Sequence, residues 1–309
     1  MKKRIITGIV MGIILIPLVV IPQLKALFEI VMILMLGAAS FELFNMYDKQ
    51  KKLPLGIKII GTLLTFLLYS SVLYALPICD NTLIVRFLDC IDLELTPVLS
   101  MGIIFIVLMA MMIFKQDFDA SDVGKIYIVV MYIGICTAGL TALRFYGVRF
   151  IAYLLLITVC TDIFALVFGL NFGKHKMAPV ISPKKSWEGA IGGSAVAVIV
   201  GFLFIYLYPH FSSVFHEEGS ISFFAGVLPY DSFTEFGKIC FIILLTTGIS
   251  ICSQIGDLVA SKLKRTYGIK DFSNLFPGHG GVLDRFDSAL FSSVIFVVFI
   301  LIMVSCFGV

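Results

Sequence analysis

Long apolar stretches, broken at near-regular intervals by short polar ones, run the length of the chain. Nine of them, roughly residues 5–21, 27–46, 57–77, 97–114, 125–143, 150–172, 187–208, 237–258 and 285–307, approach the ~20 apolar residues that cross a bilayer core. Backbone groups in lipid find no water to bond, so these stretches are expected to be helices. The fold class that follows is all-α: a polytopic integral membrane protein with about nine transmembrane helices. The first stretch follows "MKKR" but lacks a small-x-small cleavage site, so it reads as an uncleaved span rather than a removed signal peptide.

Composition agrees with this pattern. The 309 residues are 60% hydrophobic and 14% charged, and the mean hydropathy of +1.06 is far above that of soluble enzymes. Charge adds an orientation. With the N-terminus cytoplasmic, 18 of the 23 Lys and Arg residues fall on the cytoplasmic side, and only Lys25, Arg86, Arg144, Arg149 and Lys238 fall outside, as the positive-inside rule asks. The seven cysteines are scattered and show no metal-ligand spacing, which makes them apolar filler; Cys79 and Cys90 share one external loop and are the one pair able to bridge. His175, His210 and His216 have no ligand-like spacing either. "GLNFGKH" fails as a P-loop, with three residues between its glycines and His where a metal-holding hydroxyl belongs.

The chemistry-bearing residues gather in two cytoplasmic loops and the helix ends beside them. Residues 1–150 show few polar positions and read as a transmembrane scaffold, with an oligomer surface or lipid passage; residues 151–309 read as the catalytic region. In "SICSQIGDLVASKLKR", Ser253, Asp257 and Ser261 recur every four residues and share a helix face. In "DRFDSALFSS", Asp284 and Asp287 lie three apart, also on one face. The two helices can therefore direct three carboxylates to one region near the cytoplasmic surface.

Carboxylates among so many cations suggest a divalent cation shared with phosphate, since Mg²⁺ takes one or two protein carboxylates and fills its remaining positions with water and phosphate oxygens. Lys264, Arg265, Lys270 and Arg285 would hold anionic oxygens. "GHGG", with His279, Gly280 and Gly281, would offer close backbone approach and exposed N–H groups at a helix start. A plainer reading stands beside this one: basic residues flank membrane spans by default, and Asp284 and Asp287 can simply complement a helix N-terminus.

In the other loop, "SPKKSWEG", Ser182–Pro183 reads as an extended turn, Ser186 as a helix cap and Glu188 as a first-turn acid. Lys184, Lys185 and Ser186 also suit phosphate. Asp162 lies mid-span and must face the bundle interior or a polar cavity, either as a functional group or as a structural hydrogen-bond partner. Glu42 is a weaker case of the same kind.

The run from Ser261 through Lys264, Arg265, Lys270, Asp271 and "FPGHGGVLDRFD" to Asp287 resembles the complete signature of the phosphatidate cytidylyltransferases, or CDP-diacylglycerol synthases, with no departure. Upstream, "TDIFALVFGLNFGKHKMAPVISPKKSWEGAIGG" resembles the family too, with Ser186 where many members carry Thr. The resemblance is specific over residues 160–290. It implies a multi-pass enzyme of the cell membrane, dimeric, acting on CTP and phosphatidic acid at the cytoplasmic face, with membrane lipid as a partner and no nucleic acid. It implies Mg²⁺, with a K⁺ neighbour, on Asp257 and Asp284. Asp257, Asp284 and Asp287 would be catalytic, with Asp287 orienting water or a basic side chain. Lys184, Lys185, Ser186, Ser261, Lys264, Arg265, Lys270, His279, Gly280, Gly281 and Arg285 would bind substrate. Two rival readings are another CTP-dependent lipid enzyme, such as a polyprenol kinase, and a transporter. The first would need a base to deprotonate a hydroxyl, and the second predicts internal symmetry and broken midplane helices, against which the gathering of polar residues at one face argues.

Overall fold

A computed structural model describes the chain except for residues 1, 77–78, 216–222, 225–226, 228–232, 277, 279 and 308–309. It is all-helical apart from one small hairpin. The helices are α1 (Lys2–Val20), α2 (Lys25–Tyr47), α3 (Leu55–Tyr74), α4 (Leu83–Cys90), α5 (Pro97–Phe114), α6 (Ala120–Tyr146), α7 (Val148–Phe172), α8 (Trp187–Phe211), α9 (Glu235–Thr266) and α10 (Leu283–Phe307). Among the described residues, eight helices are long and apolar enough to cross a membrane, namely all but α1 and α4. Helix α1 covers the first expected span. The short α4 was not foreseen, because eight residues are too few to cross and too mixed to stand out. The hairpin pairs β1 (Lys176–Ala178) antiparallel with β2 (Ser182–Ser186), where an extended turn was expected.

The chain forms two compact units: Met1–Phe145 with Lys264–Arg285, and Tyr146–Leu263 with Phe286–Val309. In the first unit α2, α3 and α6 are drawn together by small residues. A Cβ at Gly61 would sit 2.5 Å from the Phe44 ring, and one at Gly134 would sit 3.1 Å from the Thr65 carbonyl. Hydroxyl pairs tie α3 to its neighbours, Tyr69 to Thr141 of α6 at 3.2 Å and Ser71 to Ser100 of α5 at 2.7 Å. Glu29, fully buried on α2, accepts the N–H groups of Leu83 and Ile84 and so anchors the start of α4, which Thr82 also caps.

In the second unit α8 lies against α7 along Gly189, Gly193, Ala197 and Gly201, spaced four apart on one face. A Cβ at Gly193 would meet the Thr161 carbonyl at 2.7 Å, and one at Gly201 would meet the Tyr153 hydroxyl at 2.7 Å. A ladder of polar side chains joins α7, α8 and α9: Tyr153 to Thr246 (2.6 Å), Thr161 to Ser250 (2.8 Å), Ser194 to Ser250 (2.8 Å) and the Gln254 amide to Ser194 (3.0 Å). Each hydroxyl thereby finds a partner where water is excluded.

The possible Cys79–Cys90 bridge does not form, and both residues are free thiols. Cys79 is wholly buried and its thiol is pushed up to about 12 by desolvation, whereas Cys90 is exposed on α4. In variants keeping one or the other cysteine, a membrane-impermeant maleimide is expected to label Cys90 in native protein and Cys79 only after denaturation. Equal native labelling would show that Cys79 is not packed as described.

Candidate active site

Elements of the second unit meet around a cavity of about 190 Å³, whose polar lining is Asp162 of α7, Lys184, Lys185 and Ser186 of β2, and Gln254 and Asp257 of α9. The hairpin builds one wall. Ser186 ends β2 and caps α8, accepting the Gly189 N–H at 3.2 Å, as the sequence predicts. Glu188, in the first turn, accepts the His175 backbone N–H and lies 2.6 Å from Nδ1 of that imidazole, tying the base of the hairpin to α8. A Cβ at Gly173 would come within 2.6 Å of the Ser186 hydroxyl, so a glycine closes α7 against the cap.

Lys185 reaches across to Asp257, its Nζ 2.6 Å from Oδ2. The ammonium has no aligned hydrogen bond there, which leaves it donors for a ligand oxygen. The Ser261 hydroxyl donates to Oδ1 of Asp257 at 3.3 Å, as the four-residue spacing predicts. Asp162 faces this cavity, within electrostatic range of Lys185 and Asp257 and hydrogen-bonded to Ser288. Of the two surroundings expected for a mid-span acid, the bundle interior or a polar cavity, Asp162 has the cavity. Asp287 is nearly buried on α10, and the backbone there approaches α9 closely, since a Cβ at Gly256 would sit 2.7 Å from the Asp287 carbonyl.

The first unit holds the second cluster. Lys264 lies 2.7 Å from Oδ1 of Asp284, with both side chains largely out of solvent, and its ammonium sits over the Phe272 ring at 5.2 Å. Oδ2 of Asp284 accepts the N–H groups of Phe272 (2.8 Å) and Gly281 (2.9 Å). Phe276 and Gly280 exchange backbone hydrogen bonds across a turn in which Gly278 and Gly280 take left-handed φ of 78° and 85°, open to glycine at little cost. Arg265 donates to the Ile269 carbonyl, while Lys270 and Arg285 are exposed. His279 lies outside the described residues.

One expectation is corrected here. The N–H groups at the start of α10 are not exposed for a phosphate: that of Gly281 is taken by Asp284, and those of Val282 and Leu283 by Glu42 of α2. Sequence reasoning missed Glu42 as part of this site, because its partners, the Ser273 hydroxyl and two backbone amides, lie 231 to 241 residues away. Its only signal was a carboxylate within an apolar span, one of two on α2.

Among the described residues no group of three or more His, Cys, Asp or Glu side chains is placed to hold a metal ion. The expected metal, Mg²⁺, needs less. Asp257 and Asp162 carry hard carboxylate oxygens into one cavity, beside the Gln254 amide and near the Ser261 hydroxyl, and one or two carboxylates suffice for Mg²⁺. The donor chemistry fits that ion.

Comparison with known proteins points the same way. The sequence model of the Cytidylyltransferase family matches residues 2–303. The phosphatidate cytidylyltransferase of Bacillus subtilis (strain 168) is 32% identical over 294 residues, 94% of each chain. Those of Staphylococcus haemolyticus (strain JCSC1435) and Staphylococcus aureus (strain COL) are 35% identical over 201 residues and 37% over 188, covering 65% and 60% of this chain and 66% and 62% of theirs. With the family matched across nearly the whole chain and the Bacillus subtilis relative aligned over 94% of it, the chain belongs to the cytidylyltransferase family and is a membrane-spanning nucleotidyltransferase.

Proposed function

We propose that the chain is a CTP:phosphatidate cytidylyltransferase, forming CDP-diacylglycerol and pyrophosphate at the cytoplasmic face of the cell membrane. The observation that carries this reading is the cavity in which Lys185 meets Asp257 beside Asp162. It offers cations and carboxylates together at the end of membrane helices, as a reaction between a lipid phosphate and a soluble nucleotide requires. At about 190 Å³ it is smaller than the pockets of roughly 300–1,000 Å³ that enclose whole ligands, so it suits a phosphate group better than an entire nucleotide.

The chemistry asks for charge control rather than proton removal. A phosphate monoester has a second pKa of about 6, so phosphatidate is largely dianionic at neutral pH and already nucleophilic. Its oxygen attacks the α-phosphorus of CTP, the bond from that phosphorus to the bridging oxygen of the β-phosphate breaks, and pyrophosphate leaves with the electron pair. No proton need move. The obstacle is bringing two polyanions into line. Lys185, ionically held but with free donors, meets a phosphate oxygen as Asp257 fixes its position. Lys184 on the same strand adds a second cation, and Lys264, Lys270, Arg265 and Arg285 supply further positive charge in the signature segment. Gln254 presents an amide to the cavity. Mg²⁺ would be held through Asp257, with Asp162 facing the same cavity, and would supply neutralisation of phosphate charge when bound. A homodimer with its N-terminus in the cytoplasm is part of the same proposal, supported by the distribution of basic residues and by the family resemblance.

The test uses purified full-length protein with Mg²⁺, phosphatidate and CTP labelled at either the α- or the γ-phosphorus. The α-label is expected in a CDP-lipid and the γ-label in pyrophosphate. Transfer of the γ-label to lipid would instead establish a kinase, and failure to form any CDP-lipid would sink the proposal.

A further inference from the structure

Glu42 sits on α2 with 5% of its surface exposed, and its carboxylate accepts hydrogen bonds from the signature segment. Oε1 accepts the Ser273 hydroxyl at 2.6 Å and the Val282 N–H at 2.8 Å, and Oε2 accepts the Leu283 N–H at 3.0 Å. Gly281 presses against the same group: a Cβ there would run into Oε1 and lie 2.6 Å from Oε2. These are contacts within one unit.

An ordinary helix start is capped from its own N-cap position by Ser, Thr, Asp or Asn. Helix α10 begins at Leu283, so that position is held by Val282, which has no side-chain acceptor. The acceptor comes from α2 instead, and the successive amides of Gly281, Val282 and Leu283 are shared between Asp284 and Glu42. Leu283 directly precedes Asp284 and Arg285, so whatever fixes its amide fixes the direction in which those two side chains leave the helix. A carboxylate buried in an apolar span is costly unless it has such partners.

We propose that Glu42 is a positioning residue of the transferase reaction: it holds the start of α10 and thereby the orientation of Asp284 and Arg285, without itself touching substrate. The proposal rests on the reading that the signature segment carries the chemistry.

Glu42→Ala and Glu42→Gln in full-length protein test it, with two readouts. Amide hydrogen exchange over residues 281–284 without substrate reports whether Glu42 holds the helix start. Cytidylyl transfer, with and without added formate, reports whether that hold matters to the reaction. For Glu42→Ala we expect faster exchange, turnover lower by about 10- to 100-fold, as for loss of hydrogen bonds to a charged group, and partial recovery of both when formate fills the vacated space. Glu42→Gln keeps one acceptor oxygen and is expected to fall between. Should the alanine variant fail to fold, Glu42→Gln and Ser273→Ala carry the test, each with a smaller loss. Turnover within about threefold of wild type in Glu42→Ala, unchanged exchange in the variants, or formate restoring protection but not turnover would overturn the proposal. Wild-type protein inactive in cytidylyl transfer would sink the functional reading instead, and the exchange result would still decide whether Glu42 holds the helix.

Discussion

Asp284→Asn is expected to reduce turnover by about 10²- to 10⁴-fold while the protein still inserts in the membrane. Asp284 offers one oxygen to the Lys264 ammonium and the other to two backbone N–H groups. An asparagine retains one acceptor, and its NH₂ group must then oppose either the ammonium or the amides. Breaking a largely buried ion pair on one side costs about 3–5 kcal/mol, and each ~1.4 kcal/mol expressed in the barrier is tenfold in rate. Lys264 loses its counter-ion whichever way the new amide turns, and with the NH₂ group toward Phe272 and Gly281 those two N–H groups lose their acceptor as well. Asp257→Asn, which removes the anion facing Lys185, is expected to act similarly. Lys49→Ala, exposed and outside both clusters, serves as the control and should keep wild-type activity. Initial rates with detergent-solubilised protein, checked for monodispersity, decide the matter; Asp284→Asn turning over within about tenfold of wild type would remove Asp284 from the chemistry.

The second large effect is structural. Gly193→Leu is expected to prevent α7 and α8 from packing, at a cost above about 3 kcal/mol, beyond the usual range for overpacking. The reason is the nature of the neighbours. The first carbon of any side chain at Gly193 would already stand 2.7 Å from the Thr161 carbonyl and 2.8 Å from the Ala165 nitrogen, and backbone cannot rotate away as a side chain can. The wall of the cavity carrying Asp162 would move with α7. Gly102→Leu, at a position with nothing within 4 Å, is the matched control and should be silent. Thermal unfolding followed by gel filtration separates the two. An unaltered profile for Gly193→Leu would show that the helices lie farther apart than described.

How much of this was legible in the sequence follows from the range of the forces involved. Transmembrane helices were readable because hydropathy is summed over some twenty residues and survives local exceptions. The face shared by Asp257 and Ser261 and the cap at Ser186 were readable because both are local, set by three- and four-residue spacings. The hairpin was not: "SPKKS" has no alternation of apolar and polar residues, and its pairing with Lys176–Ala178 is a matter of backbone hydrogen bonds alone. The lysine–aspartate pairs were within reach as candidates but not as partners, since pairing Lys185 with Asp257 spans 72 positions and nothing in either neighbourhood selects the other. Glu42 was hardest, because two main-chain amides and one serine hydroxyl are partners that no charge complementarity in the sequence points to.

Helix α2 ends at both extremes in the same device. Glu29 takes the first amides of α4 and Glu42 those of α10, 13 residues apart, which at 1.5 Å per residue is about 20 Å along the axis. A rod pinned at two heights cannot slide. When the surrounding bilayer thickens or thins, α2 keeps its depth relative to these two helix starts, and the mismatch has to be met by tilt of the unit or by deformation of the lipid.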